Sequence, residues 1–282
     1  MGLPQRGIVI TQRAMLPRRE LGRTGLSVSP IGLGTVKFGR TKGVRYPTPF
    51  ELPDDAAAAR LLALASDHGV NLLDTAPAYG ESESRLGRLL AGWRDRWLIC
   101  TKAGEEFDEQ SGASTFDFSP EAITASVERS LRRLGTDRVE CVLLHSDSRD
   151  EWILRESGAW QALERLRQRG LLIAAGISTK TPKGALLAAE MCDVVMLTLN
   201  ARERADLPAI AAADRSGAGV LVKKALASGH LAARPELGVD PVEQSLRFAI
   251  GTAGVSSVVI GTINPGHLLH NIHAAERSLA RA

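Results

Sequence analysis

Residues 71–87 read Asn-Leu-Leu-Asp-Thr-Ala-Pro-Ala-Tyr-Gly-Glu-Ser-Glu-Ser-Arg-Leu-Gly, and the rest of the chain is organised around this segment. A short apolar run ends at Asp74, the Ala-Pro-Ala that follows cannot extend a strand, and leucines at helical spacing begin at Leu86. Tyr79 therefore lies between a strand end and a helix start, where parallel α/β folds place their chemistry. Taken alone, the stretch is equally consistent with a loop whose tyrosine packs and whose aspartate caps.

The same alternation of short apolar runs and amphipathic stretches continues on both sides. Predicted strands lie near residues 31–35, 72–75, 98–102, 139–145, 174–178, 194–198, 220–223 and 258–260. Predicted helices lie near residues 54–69, 81–92, 119–134, 151–169, 182–191, 201–216, 241–251 and 265–280. Eight strands alternating with eight helices predict an α/β fold, a single (β/α)8 TIM barrel whose active site lies at the C-terminal ends of the strands.

Other segments depart from this alternation. Residues 1–14 are interpreted as a polar extension before a barrel domain over residues 15–282, and Met15 is an equally good start. Two short alternating segments within residues 17–30 predict a hairpin that acts as a plug or lid. Long loops are predicted after the first, third and seventh strands, at residues 37–54, 104–119 and 225–239.

Composition restricts the class of protein. Hydrophobic residues make up 44% of the 282 residues and charged residues 24%, which excludes a disordered chain. A net charge of +3 without a long basic run gives no reason to expect nucleic acid or a membrane as a partner. Cys100, Cys141 and Cys192 follow no metal-site spacing and are interpreted as core residues in a reducing compartment. Without a signal peptide or an apolar run of roughly 18 residues, we expect a cytoplasmic protein.

Ionisable residues close several predicted strands, and this points to a site. Asp74, Lys102 and His145 close successive strands, so they converge with Tyr79 on one mouth of the barrel. Tyrosine has a reference pKa of about 10 and needs a nearby cation to act as an acid at neutral pH. Lys102 supplies that cation, Asp74 pairs with Lys102, and His145 can hold a carbonyl oxygen beside the phenol. The reagent that this set lacks is a hydride.

The sequence resembles the aldo-keto reductases from about Leu21 to Asn271. The motifs that carry the resemblance are Leu21-Gly22-Arg23-Thr24-Gly25-Leu26, Gly32-Leu33-Gly34-Thr35, Asp74-Thr75-Ala76 with Tyr79-Gly80, Thr101-Lys102, Leu143-Leu144-His145, Gly176-Ile177-Ser178, Gly261-Thr262 and Asn264-Pro265. The resemblance implies a catalytic tetrad of Asp74, Tyr79, Lys102 and His145. It also implies hydride transfer between a nicotinamide, usually NADPH, and an aldehyde or ketone, with Tyr79 as the general acid and Lys102 lowering its pKa.

The resemblance also implies where the cofactor binds. Gly34, Thr35 and Asp74 would lie near a ribose, and Ser178 and Thr179 near the carboxamide. The residues implied for the nicotinamide, the pyrophosphate and the adenosine are Lys223, Lys224, Leu226, Ser228, Gly261, Thr262, Asn264, His267 and Asn271.

Several of these positions depart from the family pattern. Thr179 stands where the family usually has Asn, Met196 where it usually has Gln, and Lys223 where an aromatic ring commonly stacks on the nicotinamide. Where the 2′-phosphate usually contacts Lys and Arg in the family, the chain has Gly261 and His267, with His270 one turn further. NADPH is therefore expected only because the family usually uses it, and NADH is an alternative. His267, His270 and His273 lack a carboxylate or cysteine at ligand spacing, so no metal is expected.

Three functions remain open at this point. The first is reduction of an aldehyde or ketone, and the second is the same tetrad run as an NAD-dependent alcohol or sugar dehydrogenase. The third is a nucleotide-bound regulatory subunit with slow turnover, a role that some members of the family have. Aromatic residues concentrated in the long loops predict a substrate with an apolar or aromatic body. These are Phe38, Tyr46, Phe50, Phe107, Phe116 and Phe118.

Overall fold

Eight parallel strands close into a barrel in the computed structural model, which describes residues 15–44, 46–229 and 240–280. The barrel strands are β3 (Ile31–Gly34), β4 (Leu72–Asp74), β5 (Leu98–Ala103), β8 (Val139–His145), β9 (Leu172–Ser178), β10 (Val194–Thr198), β11 (Gly219–Lys223) and β12 (Ser257–Ile260). They neighbour one another in chain order, and β12 pairs with β3 to complete the ring. The TIM barrel prediction is therefore confirmed. The predicted extension, residues 1–14, lies outside the described residues, as do residues 230–239 of the third long loop.

Helices follow the barrel strands and cover the outside. They are α1 (Asp55–Asp67), α2 (Ser82–Leu89), α3 (Pro120–Leu134), α4 (Asp150–Arg155), α5 (Ala159–Gln168), α6 (Pro182–Met191), α7 (Leu207–Ser216), α8 (Pro241–Gly251) and α9 (Pro265–Leu279). The predicted helix starts at Ser119 and Asp240 are confirmed, because each side chain accepts a hydrogen bond from a backbone amide of the first turn.

Two helix predictions are wrong. The predicted helix over 151–169 is two helices, because Gly158 adopts a φ of 83° and breaks the run between α4 and α5. The predicted helix over 201–216 begins only at Leu207, because the side chain of Asn200 accepts hydrogen bonds from the amides of Arg202 and Glu203 and holds the preceding residues in a turn.

The predicted hairpin is present and closes the bottom of the barrel. Its strands are β1 (Arg19–Glu20) and β2 (Ser27–Val28). Leu21 and Val28 pack against inward-facing residues of the barrel strands, among them Leu72 and Leu143. This position, away from the strands' C-terminal ends, makes the hairpin a plug and leaves the other end of the barrel open for a site.

Burial of the cysteines agrees with their interpretation as core residues. Cys100, Cys141 and Cys192 are all buried and carry free thiols. Cys100 and Cys141 lie in the apolar cluster inside the barrel, whereas Cys192 lies in the larger cluster between strands and helices. Among the described helices, none is long and apolar enough to cross a membrane.

The loop after β5 contains a second hairpin, which the sequence did not predict. Its strands are β6 (Glu105–Phe107) and β7 (Ser114–Phe116), paired in antiparallel register. Gly104 connects β5 to β6 with a φ of 101°, and a Cβ atom there would lie 2.5 Å from a ring carbon of Phe118. Only glycine fits this position, so the turn brings Glu105 back over the mouth of the barrel.

We predict that Gly176→Ala destabilises the barrel strongly. A Cβ atom at Gly176 in β9 would lie 1.7 Å from the carbonyl oxygen of Val194 in the neighbouring strand β10. Because the backbone of paired strands cannot move aside locally, we expect the free energy of unfolding to fall by about 3 kcal/mol. Urea denaturation measures it. Gly251→Ala is the matched control, since nothing lies within 4 Å of its added Cβ and helix α8 should gain up to about 1 kcal/mol.

Candidate active site

The structure brings the four tetrad residues together at the open mouth. Asp74 ends β4, Lys102 lies in β5 and His145 ends β8, and these three strands are neighbours in the barrel. Tyr79 ends a short 3-10 turn (Pro77–Tyr79) that follows β4. The proline in this turn stops the strand, as the sequence predicts, and the turn places the phenol beside the strand ends.

Lys102 is the centre of the cluster. Its Nζ atom donates to Oδ1 of Asp74 at 2.5 Å, to the carbonyl oxygen of Thr75 at 2.9 Å and to Oη of Tyr79 at 3.0 Å. Lys102 is 1% exposed and Asp74 is 4% exposed. A buried ammonium with three acceptors is fully satisfied, so its position is fixed by contacts on every side.

The cluster keeps its protons at neutral pH. Burial acts to lower the pKa of Lys102, but the charges of Asp74 and Tyr79 outweigh burial and raise it. The pKa of Tyr79 is raised by burial and by Asp74, and the opposing effect of Lys102 is smaller. The expectation that Lys102 lowers the pKa of Tyr79 thus describes one contribution, while the net direction is upward because burial and the charge of Asp74 outweigh the effect of Lys102.

His145 contacts a carboxylate that the sequence analysis missed. Its Nδ1 atom is buried and lies 2.8 Å from Oε2 of Glu105, and its ring packs edge-on against the ring of Tyr79. Glu105 is held by Ser114, whose Oγ donates to Oε1 at 2.6 Å. The signal for this contact was the glycine at Gly104, which turns the chain directly after a strand whose end was already assigned to the site.

Arg40 connects the first long loop to this network. Its guanidinium lies over the ring of Phe107, 3.6 Å from the centroid, and Nη1 donates to the carbonyl oxygen of Ala78 at 2.9 Å. Nη1 is also 3.9 Å from Oε1 of Glu105. Arg40 therefore ties the loop after β3 to the turn that carries Tyr79 and to the β6–β7 hairpin.

Lys223 lies across the predicted carboxamide site. From the end of β11, its Nζ donates to Oγ of Ser178 at 2.8 Å and to the carbonyl oxygen of Thr179 at 2.6 Å. Burial lowers its pKa to about 7, and the charges of Lys224 and Lys102 act in the same direction. Ser178 pairs in register with His145, so this ammonium group neighbours the tetrad.

Other residues at these strand ends have their polar atoms engaged. Oγ1 of Thr35 donates to the carbonyl oxygen of Asp74 at 2.9 Å and accepts from Ser82. Oγ1 of Thr179 turns to the carbonyl oxygen of Met196, and Met196 itself is buried inside the barrel. Backbone atoms of Thr35 and Thr179 are also paired within the protein, so both residues support the mouth from inside the barrel.

The mouth has features that fit a dinucleotide. The neighbouring strands β3 and β12 end at Gly34 and beside Gly261, and neither glycine adds a side chain of its own there. A Cβ atom on Gly261 would meet only the Tyr46 hydroxyl, at 3.2 Å, and the Gly34 carbonyl oxygen, at 3.8 Å. Helix α9 begins directly after β12, and a helix N-terminus favours a phosphate. The exposed glycine at Gly261 and the nearby start of α9 leave room for the phosphates of a nicotinamide dinucleotide.

The residues near the start of α9 differ in whether their side chains are exposed to a ligand. Asn264 caps the helix by accepting from the amides of Gly266 and His267, and Thr262 and Asn271 are buried beside it. His267 is exposed. Nε2 of His270 lies 2.8 Å from Oδ2 of Asp240, so a carboxylate shares this surface.

The loop after β11 approaches from the other side. Lys224 and Ala227 adopt positive φ angles of 59° and 46°, and Ser228 lies in a short 3-10 turn (Ala227–Gly229). Leu226 packs partly buried against the core. The backbone at Lys224 is held by Asn200, whose amide donates to its carbonyl oxygen at 3.1 Å.

The loop aromatics fall into two groups. Phe38 and Phe118 are buried and anchor their loops, whereas Phe50, Phe107 and Phe116 keep part of their surface exposed. A cation lies over each of the second group: Lys37 at 4.8 Å over Phe50, Arg40 at 3.6 Å over Phe107, and Lys180 at 5.2 Å over Phe116.

Comparison with known proteins gives a consistent family. The model of the aldo/keto reductase family matches residues 30–236. A crystal structure of a Pseudomonas aeruginosa protein assigned to the aldo-keto reductases is 49% identical, covers 96% of this chain and 99% of its own, and superposes with a TM-score of 0.84. The holo form of an aldo-keto reductase from Bacillus halodurans is 25% identical, with 93% and 91% coverage and a TM-score of 0.79. D-threo-aldose 1-dehydrogenase from a Pseudomonas species is 27% identical, over 89% of this chain and 90% of its own.

We predict that Asp74→Asn lowers the free energy of unfolding by about 3 kcal/mol, because it leaves the buried ammonium of Lys102 without its carboxylate. Chemical denaturation measures this change. The double variant Asp74→Asn/Lys102→Met should lose less than the sum of the single variants, since the two residues act as one pair. Glu151→Gln, which removes an exposed pair with Lys183, is the control and should barely change stability. Additive losses in the double variant would contradict the assignment of a coupled pair.

Proposed function

Because the chain belongs to the aldo-keto reductase family, whose members are oxidoreductases that use nicotinamide cofactors on small carbonyl compounds, we propose that it reduces an aldehyde or ketone to an alcohol. The observation that carries this proposal is the Tyr79 hydroxyl, 3.0 Å from a buried lysine that is itself paired with Asp74. A bound nicotinamide supplies the hydride, and the chain's own residues supply the proton.

Tyr79 acts as the general acid in this proposal. Its raised pKa keeps the phenol protonated at neutral pH, so the acid is loaded before the carbonyl compound binds. As the carbonyl oxygen gains charge it becomes an alkoxide, which is a stronger base than a phenolate and therefore takes the proton from Oη. Lys102 then stabilises the phenolate, because its ammonium remains 3.0 Å from Oη, and Asp74 holds that ammonium in place.

The carbonyl oxygen lies between Tyr79 and His145 in this arrangement. The two rings are 6.3 Å apart between centroids and nearly perpendicular, at 83°. An oxygen atom that accepts from the phenol, and from His145 when its ring is protonated, is oriented for proton transfer from the phenol. Burial of Lys102 and Asp74 keeps water away from the charged pair behind the tyrosine, which strengthens the electrostatic contribution.

We propose NADPH as the cofactor, with NADH as the alternative. Gly34, Ser178, Gly261 and Asn271 would hold it, together with the start of α9. The family resemblance supports NADPH. NADH is supported by His270, because it pairs with Asp240 and this carboxylate would repel a 2′-phosphate. Without a fixed cation in the described part of this surface, we expect the two affinities to differ by less than about tenfold.

A second function, oxidation of a sugar or alcohol with NAD, is supported by a separate observation. The Pseudomonas relative that is named D-threo-aldose 1-dehydrogenase matches nine tenths of this chain. In that direction Tyr79 would be the base, and its raised pKa makes the phenolate scarce at neutral pH. Oxidation should therefore require higher pH than reduction.

The function is tested by cofactor binding followed by turnover. Fluorescence titration with NADPH and NADH gives both dissociation constants, and 4-nitrobenzaldehyde serves as the test carbonyl compound. We predict that Tyr79→Phe lowers kcat at least about a hundredfold while cofactor affinity stays within about threefold, because only the proton donor is removed. Glu128→Gln is the control, since it removes an exposed carboxylate that pairs with Arg169 and leaves the tetrad untouched.

Two outcomes would contradict the proposal. If Tyr79→Phe turns over the aldehyde at a near-normal rate while binding cofactor, Tyr79 is not the acid. If the wild-type protein binds the cofactor tightly, forms a stable complex with another protein and shows negligible turnover, the regulatory role is favoured instead.

We further propose that the substrate has an apolar or aromatic body beside its carbonyl group. The half-exposed rings of Phe50, Phe107 and Phe116 on the mouth loops support this. We predict that kcat/KM for aromatic aldehydes exceeds that for small polar aldehydes by about tenfold or more. Replacing Phe116 by Ala should remove part of this preference, and equal values across an aldehyde panel would contradict it.

A further inference from the structure

Glu105 has no assigned role in carbonyl reduction, yet it lies against a tetrad residue. Its Oε2 atom is 2.8 Å from Nδ1 of His145. The two atoms are in close contact, and the N–H direction lacks the alignment of a full hydrogen bond. The positive φ of Gly104 places Glu105 there, and any other residue at Gly104 would collide with Phe118. The conformation of the turn between β5 and β6 therefore produces this contact.

Glu105 is held as a carboxylate. Burial would raise its pKa, but His145 and Ser114 outweigh burial, and the pKa is lowered to about 2. Ser114 donates to Oε1, and the guanidinium of Arg40 is 3.9 Å from the same atom. One carboxylate oxygen is thus fixed by the hairpin and the first loop, and the other is directed at His145.

A carboxylate beside Nδ1 determines where neutral histidine keeps its proton. Neutral imidazole has one N–H donor and one acceptor nitrogen. A negative charge at Nδ1 favours the tautomer with the proton on Nδ1, which leaves a lone pair on Nε2. In that state Nε2 cannot donate to a carbonyl oxygen, although it can accept a hydrogen bond from an alcohol.

Other charged groups around His145 act against its protonation. Burial lowers its pKa most, and the charges of Lys102 in β5 and Lys223 in β11 lower it further. Glu105 is the group that raises it, while Tyr79 contacts the ring edge-on. The net direction is downward, so the neutral ring dominates at and above neutral pH.

We propose that Glu105 is a positioning residue that keeps the proton of neutral His145 on Nδ1. Nε2 then donates to a carbonyl oxygen only when the ring is protonated, and it accepts from an alcohol hydroxyl when the ring is neutral. The catalytic consequence rests on the proposed function: reduction falls as pH rises through the titration of His145, and alcohol oxidation rises. Glu105 thereby helps to set the direction in which the site works best.

The test reads the histidine ring directly. The protein is labelled with 15N-histidine, and the ring nitrogens are followed by NMR from about pH 5 to about pH 9. His145→Gln identifies the His145 signals by their loss. We expect neutral His145 in the wild type to carry its proton on Nδ1. In Glu105→Gln we expect the proton to move to Nε2 and the titration midpoint to fall by about one pH unit or more.

Glu106→Gln is the matched control. Glu106 is the next residue in β6 and contacts Arg129 and Ser126 on α3, outside the tetrad. It should leave the tautomer and the midpoint of His145 unchanged. Ser114→Ala loosens Glu105 without removing its charge, so it keeps the proposal testable if Glu105→Gln does not fold. In Ser114→Ala we expect a partial shift of the proton from Nδ1 to Nε2.

The pH profile of kcat/KM tests the effect of Glu105 on catalysis. Wild-type reduction should fall about tenfold per pH unit above the His145 midpoint, and Glu105→Gln should keep reducing at alkaline pH. A wild-type ring with its proton on Nε2, or a tautomer unaffected by both hairpin variants, would overturn the proposal. If the tautomer behaves as expected and no carbonyl compound is reduced, the proposed function fails and the role of Glu105 at His145 stands.

Discussion

The buried ion pair between Lys102 and Asp74 is the interaction on which the site depends. Removing two charges from water is costly. The attraction between the two charges offsets this cost, together with the contacts of the lysine to the carbonyl oxygen of Thr75 and the phenol of Tyr79. The pair is neutral as a whole. It positions Tyr79, while burial and the charge of Asp74 raise the pKa of the phenol more than Lys102 lowers it, so the phenol is protonated at neutral pH.

Periodicity predicted the fold and the convergence of the strand ends on one mouth, whereas the tetrad as a catalytic set was implied by the family resemblance. Alternation of apolar runs and amphipathic stretches specifies a parallel barrel, and strand ends in such a barrel converge on one mouth. Hence Asp74, Lys102 and His145 could be placed together without knowing any distance. The split between α4 and α5 was missed because a single glycine, Gly158, takes a left-handed conformation that no periodic pattern reveals.

Contacts between loops were beyond the reach of the same reasoning. Glu105 follows a glycine of the kind found in many loops. Its contact with His145 depends on the φ of Gly104 and on the position of Phe118 next to that glycine. The sequence did identify Lys223 as a departure from the family pattern. It could not show that the ammonium group would bind Ser178 and so occupy space beside the tetrad.

The tetrad is surrounded by titratable groups whose pKa values are shifted in opposite directions. Burial lowers the pKa of Lys223 to about 7 and also lowers the pKa of His145 below its usual value, whereas the charge of Asp74 raises the pKa of Lys102. The positive charge at the mouth therefore falls as pH rises, while the ion pair behind Tyr79 stays intact. In the proposed reaction that positive charge would stabilise a developing alkoxide, so we expect reduction to be favoured on the acidic side of neutrality and the reverse reaction on the alkaline side.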